Sequence, residues 1–382
     1  MNPYDLINIE VTLNDNYYIL SRYLISRMLT LICIDKQKAS SIAKTIKKKL
    51  VELNISEITQ QKLEEILFET IIQQIKQNPL NVIQTYKIVS EFYRTRTPLI
   101  ILILGAPKIG KSSLANQLAD KLNISNVLQT DIISSVMDSM SKNIIEQNNW
   151  NDIQISDDEM LKLYQQKCYQ IRKGANTDIL KCLTQGKPLI VEGTELIPQL
   201  FIKKRYHVNG FKYDIQDEKI QNIKQNLQKF IDGKIDNNDL NIEYQIGSQQ
   251  DLFEIYQPDP EEQESQKEKD RIIQAQKYYQ NIDQSNQGVV LAFHLIINKK
   301  QHKFNIKNSS LIQSIQNQQQ RKIMCEKYLQ KYQAIQNYLI QEFNLTRTIP
   351  IEINCQQYTL DILQKILLNK IVEQYHYQQQ KK

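Results

Sequence analysis

The sequence predicts an α/β protein, a doubly wound parallel sheet of about five strands preceded by an α-helical module. From Pro98 onward, short and continuously apolar runs alternate with amphipathic stretches, as strands do when helices cover both faces of a sheet. The first such run opens into a glycine-bounded loop and then a helix, which makes a βαβ unit with the strand that follows. Upstream, residues 17–95 carry apolar side chains at three-to-four spacing and read as helical throughout.

In the helical module, residues 1–95, Leu20, Leu24 and Leu31 line one face. Asp35 caps a second helix whose buried face is Ala39, Ile42, Ala43, Ile46 and Leu50; Ser56 caps a third. Pro79 opens a fourth at the first-turn position, where a missing N–H costs nothing. The first part of the sheet domain is 96–209. Its strands are expected at Leu99 to Leu104, at VLQTD ending on Asp131, and at Pro188 to Glu192, with helices after Asp131 and ending near Gln185. Residues 210–286, which include QPDPEEQESQKEKD, hold too little apolar surface for a core and read as an exposed insertion, a surface open to a protein partner. The second part, 287–382, supplies strands at Val289 to Ile297 and Ile349 to Asn354, a lid region between them and a last helix whose tail, YHYQQQKK, reads as frayed.

With 41% hydrophobic residues in 382, the chain has the means to bury a real core. Lys+Arg at 48 against Asp+Glu at 42 leaves a net +6 that is spread rather than massed, so a nucleic-acid partner is not indicated. Five scattered cysteines and four scattered histidines exclude a disulfide framework and argue against zinc, which points to a reducing, cytoplasmic setting. No apolar run reaches the length of a membrane span, and MNPYDLINIE carries no signal-like apolar core.

Gly105-Ala106-Pro107-Lys108-Ile109-Gly110-Lys111-Ser112 fits G-x-x-x-x-G-K-[ST] in the setting that motif needs, a strand before and a helix beginning inside it. Glycines let the backbone curl so that successive amides face phosphate oxygens, Lys111 reaches the β/γ-phosphates, and Ser112 offers a hydroxyl to magnesium. ATP and Mg2+ are therefore the expected cofactors. Asp131, at the carboxyl edge of the sheet, is placed to orient an acceptor hydroxyl and equally to cap the next helix. Glu192, ending the third strand, is placed to hold magnesium directly or through water. Arg172 and Lys173 in IRKG are charge-assisted donors for a substrate phosphate or solvated helix cations, and Lys303 and Lys307, with Lys299, Lys300 and His302, follow the fourth strand as lid cations or as a solvated face. The chain has nine glycines where average usage of about 7% would give about 27. Five of them, Gly105, Gly110, Gly174, Gly186 and Gly193, fall between the phosphate loop and the end of the third strand.

These residues resemble a known group. PLIILILGAPKIGKSSLANQLADKLNISNVLQTD, QIRKGANTDILKCLTQGKPLIVEG and YLQKYQAIQNYL are similar to the 2-phosphoglycerate kinase-like proteins, a P-loop kinase family with archaeal and plant members. YYILSRYLISRMLTLICIDKQKASSIAKTIKKKL is similar to the ATP-cone-like module that precedes their kinase domain. The resemblance implies ATP-dependent phosphorylation of a hydroxyl on a small anionic metabolite, 2-phosphoglycerate in the archaeal enzymes and an inositol phosphate-type acceptor inferred for the plant proteins. Carried over, Gly105 to Ser113 is the phosphate loop, Asp131 the acceptor-side acid and Glu192 the metal-side acid. The chain departs from the family at Glu195, which stands where a histidine is usual, at Ile197, and at Tyr332-Gln333 in place of Ile-Arg. Lys303 and Lys307 stand where arginines are commoner, and lysine makes no bidentate fork. Two other readings stand beside the kinase. One is a non-catalytic ATP-binding scaffold; the other is a polynucleotide 5′-hydroxyl kinase, which would share the phosphate loop but lacks a basic, aromatic strand-binding surface.

Overall fold

A computed structural model describes residues 4, 6–13, 16–140, 150–203, 217–235, 252–253, 288–341, 349–353 and 356–380. The chain divides into two compact units. The first takes Met1–Thr95, Lys121–Asn123 and Gln364–Gln379, and the second takes Arg96–Asp120, Ile124–Leu363 and Gln380–Lys382.

The first unit is mixed rather than all helical. Strands β1 (Glu10–Leu13), β2 (Asn16–Ile19) and β3 (Glu57–Thr59) form a sheet of order β2-β1-β3, antiparallel between β1 and β2 and parallel between β1 and β3. Tyr17, Tyr18 and Ile19, expected to begin a helix, are aromatic and β-branched and fit a pleated surface. The β1–β3 pairing also displaces the third helix start. Ser56 lies ahead of β3, and the cap is Thr59, whose hydroxyl accepts from Lys62 N at 3.3 Å. The other expected starts stand as read: Asp35 accepts from Gln37 N at 2.9 Å and Lys38 N at 3.3 Å, and Pro79 is the first residue of its helix. Four helices follow these caps, α1 (Arg22–Leu31), α2 (Lys36–Glu52), α3 (Gln60–Gln74) and α4 (Pro79–Arg94). Ala39, Ile42, Ala43, Ile46 and Leu50 are all buried, whereas Leu24 is exposed and Ile25 and Leu29 turn inward in its stead.

The second unit is built on five parallel strands, β4 (Leu99–Leu104), β5 (Val127–Gln129), β6 (Leu189–Gly193), β9 (Val289–Ile296) and β10 (Ile349–Glu352), in the order β10-β9-β4-β6-β5. Both neighbours of β4 come later in the chain, so the winding reverses direction about β4. That reversal opens a crevice at its carboxyl end. β4, β6 and β9 are buried along their whole length, as parallel strands covered on both faces must be. The second strand is shorter than expected: β5 ends at Gln129, and helix α6 (Thr130–Met140) already includes Asp131 in its first turn. Helices α5 (Lys111–Leu122), α7 (Asp157–Gly174) and α8 (Asn176–Gln185) complete the first half, and Tyr164, Cys168, Ile171, Ile179 and Leu183 pack in the core with Val191 of β6.

Most of 210–286 lies outside the described residues, as does Asn354. What is described there is not all exposed insertion. Helix α9 (Asp217–Ile231) buries Leu227, Phe230 and Ile231 with Ile296 and Ile340, because these residues repeat at helical spacing within an otherwise polar sequence. A short antiparallel pair joins β7 (Ile202–Lys203) to β8 (Leu252–Phe253). After β9 come α10 (Lys299–Lys307), α11 (Ser310–Gln313), α12 (Gln318–Gln341) and, beyond β10, α13 (Gln356–Gln380). The tail expected to fray is helical through Gln380. No helix among the described residues is long and apolar enough to cross a membrane.

Candidate functional site

The carboxyl edge of β4 turns at Gly105, whose φ of +149° and close approach to Leu295 O, 2.6 Å from where a Cβ would stand, admit only glycine. Residues 106–110 curve into α5, so the amides at its first turn and the positive end of the helix dipole face the same space. Lys108 holds φ at +60° within the loop, an uncommon conformation for a residue with a Cβ.

Lys111 is the first residue of α5 and is buried. Its amine donates to Ala106 O at 2.8 Å and to Thr194 Oγ1 at 2.9 Å. Burial lowers its pKa to about 8, against the opposing pull of the Glu192, Glu195 and Asp131 carboxylates. Ser112 and Ser113 are exposed in the first turn of the helix, and the Ser112 hydroxyl bonds the Glu192 carboxylate. Glu192 sits on β6 opposite Ile103 of β4 and is 3% exposed; burial raises its pKa, with Asp131 and Glu195 adding repulsion.

Three residues on, Glu195 is also buried and accepts from Thr130 Oγ1 at 2.7 Å. Its pKa is raised first by burial and then by Asp131. Gly193 lets this pair form: a Cβ there would stand 1.8 Å from Thr130 Oγ1. Asp131 itself is exposed at the start of α6, near enough for its charge to act on Lys111, Glu192 and Glu195. Tyr164 of α7 ties the segment down by donating to Thr194 O at 2.7 Å.

The edge therefore gathers Lys111, Ser112, Asp131, Glu192 and Glu195. It does not gather Arg172. That arginine is 1% exposed, with Nε on Leu200 O at 2.9 Å, a terminal nitrogen on Asn176 Oδ1 at 3.1 Å, and its guanidinium 5.1 Å from the Phe201 ring centroid. It is a buried framework cation, neither the phosphate donor nor the solvated helix cation that the sequence left as alternatives; Lys173 beside it is exposed. The expected mobile lid after β9 is the regular helix α10. On it Lys303 is exposed and paired with Glu326, Lys307 is exposed, and His302 is buried, its pKa lowered to about 4 by burial, so it contributes no charge near neutrality. Thr130, Tyr164 and Thr194 were not among the expected residues; only their adjacency to Asp131 and Glu195 could have marked the two threonines, and nothing in the sequence marks Tyr164.

No family model matches the chain. Among curated proteins, the 2-phosphoglycerate kinase of Methanopyrus kandleri is 27% identical over 211 residues, which cover 52% of this chain and 63% of that protein. The enzyme of the same name from Methanothermobacter thermautotrophicus is 27% identical over 215 residues, 52% of this chain and 69% of the relative. That of Methanocaldococcus jannaschii is 31% identical over 143 residues, 34% and 45%. The chain thus spans under two thirds of the first of these relatives. Among solved structures, the full-length tRNA isopentenylpyrophosphate transferase from Bacillus halodurans superposes with a TM-score of 0.34 and 11% identity, over 74% of this chain and 99% of that one. Over about half its length, the chain is a distant relative of the 2-phosphoglycerate kinases.

Proposed function

We propose that this protein is an ATP-dependent kinase that transfers a phosphoryl group to a hydroxyl of a small anionic metabolite, of the 2-phosphoglycerate or inositol phosphate type. The observation that carries the reading is the meeting of Lys111 with the Ser112–Glu192 pair at the end of β4 and β6, beside Asp131. The kinship with named 2-phosphoglycerate kinases supports the reaction class.

In this reading the amides of residues 105–113 and the Lys111 ammonium hold the nucleotide phosphates, and Lys111 exchanges its contacts on Ala106 and Thr194 for phosphate oxygens. Asp131, exposed beside the buried carboxylates, orients the acceptor hydroxyl and takes its proton as the bond to phosphorus forms. Glu195, fixed by Thr130, faces the acceptor side.

The donor set fits magnesium. A hydroxyl and a carboxylate already bonded to each other are hard oxygen ligands, and Mg2+ keeps several waters and substrate oxygens rather than needing an all-protein cage. Ser112 and Glu192 would hold the ion, which would supply charge neutralisation between the phosphates.

A second reading, a non-catalytic nucleotide-binding protein, is favoured by one finding: Arg172 is turned into the core and is not available to an anionic acceptor. Purified protein incubated with labelled ATP and 2-phosphoglycerate, inositol phosphates or a metabolite extract separates the two by mass spectrometry of products. The kinase reading expects a phosphorylated product that Lys111→Ala reduces by on the order of 100-fold or more. Nucleotide binding with no turnover on any acceptor would leave the second.

A further inference from the structure

A loop whose amides turn inward to a phosphate presents its carbonyls outward, where a neighbouring element can supply donors. Here one helix supplies two of them. His302 Nε2 lies 2.8 Å from Pro107 O and Asn305 Nδ2 lies 3.2 Å from Lys108 O, from positions i and i+3 on one face of α10. A carbonyl only accepts, so Nε2 carries the hydrogen and Nδ1 is bare; it is buried with no partner among the described residues. The ring is held in this orientation by Tyr332 of α12, its centroid 6.1 Å away and the planes inclined by 22°. Asn305 takes its carbonyl from Lys108, the one loop residue other than glycine at positive φ, a conformation that persists only where its surroundings enforce it.

We infer that His302 and Asn305 are positioning residues that brace the phosphate loop from its outer side, holding it in the shape that binds nucleotide phosphate. This rests on the nucleotide-binding reading above and assigns to α10 a task different from closing over substrate. The brace acts through the loop backbone, so its loss lowers affinity for any nucleotide carrying a β-phosphate.

The test is calorimetric titration of the full chain with MgADP at a temperature well below melting, for wild type, Asn305→Ala, His302→Ala and His302→Gln, with folding checked by circular dichroism. Asn305→Ala and His302→Ala are expected to weaken binding by between about twofold and tenfold, the weight of one hydrogen bond. His302→Gln, whose amide reaches the same carbonyl, is expected to recover most of the loss. Should His302→Ala not fold, Asn305→Ala and His302→Gln decide the matter. Folded variants that melt earlier yet bind MgADP as wild type does would show a merely structural role and overturn the brace alone. A wild type that fails to bind MgADP, indistinguishable from Lys111→Ala, would overturn the nucleotide reading and the brace with it.

Discussion

Lys111 carries its charge below about pH 8 and loses it above, because burial has drawn its pKa down from the ordinary lysine value. If the ammonium is the form that meets phosphate, MgATP affinity is level around pH 7 and falls above pH 8 by up to about tenfold per unit. Titration calorimetry from pH 7 to 9.5 checks this, and a slope that persists in Lys111→Ala would refute it. The sign for stability is opposite. Between pH 8 and the unfolded lysine's value near 10.4 the unfolded chain binds more protons, so this group makes folding more favourable as pH rises through that window. Thr130 has a different weight. Its hydroxyl is the donor to the buried Glu195 carboxylate, so Thr130→Val strands an acceptor and is expected to cost about 1–3 kcal/mol in urea denaturation. The glycine-bounded loop, Lys111, Ser112 and Glu192 were legible because the chemistry of each is local to a strand end or a helix start. Arg172 was not. A cation on a helix reads as surface unless one knows that Leu200, Asn176 and Phe201 wait for it, two of them more than twenty residues on.

At the scale of elements, β4 and β9 of the large sheet were readable since burial on both faces leaves a run that is apolar throughout in β4 and broken only by His294 in β9. The three strands of the small sheet are three or four residues each and carry no such run; their pairing to β1 decides them, and pairing is not written in one segment. The same holds for α9, where polar residues crowd around an apolar stripe. Phe230 is 1% exposed in that helix and packs with Ile296 and Ile340, so Phe230→Ala is expected to cost about 3–5 kcal/mol. Thermal unfolding of the full chain measures it; a change under about 0.5 kcal/mol, the range of ordinary surface positions, would return the segment to the status of an appendage. Gly193→Ala is expected to disturb the edge of β6 by driving its methyl into Thr130, costing about 1–3 kcal/mol or more by overpacking, with the loss read in the same experiment.

At the scale of the molecule, the first unit is assembled from three separate stretches of sequence, Met1–Thr95, Lys121–Asn123 and Gln364–Gln379. Gln364 fastens the last stretch to the first: its amide donates to Thr30 O at 2.8 Å, which also accepts from Cys33 N at 3.1 Å, and to Leu31 O at 2.9 Å, both at the end of α1. Gln364→Leu is expected to lose about 1–3 kcal/mol in the transition of the first unit by removing the donor to Leu31 O, and a calorimetric scan that resolves the two units checks where the loss falls. The arrangement also sets an order of events in the cell. A ribosome delivers the chain from its amino end at about 5–20 residues per second, and segments that own all their partners fold as they emerge. Here the opening ninety-five residues wait through tens of seconds of further synthesis before the stretch that completes them appears, and a nascent chain halted short of it would leave the end of α1 without the Gln364 amide that meets it.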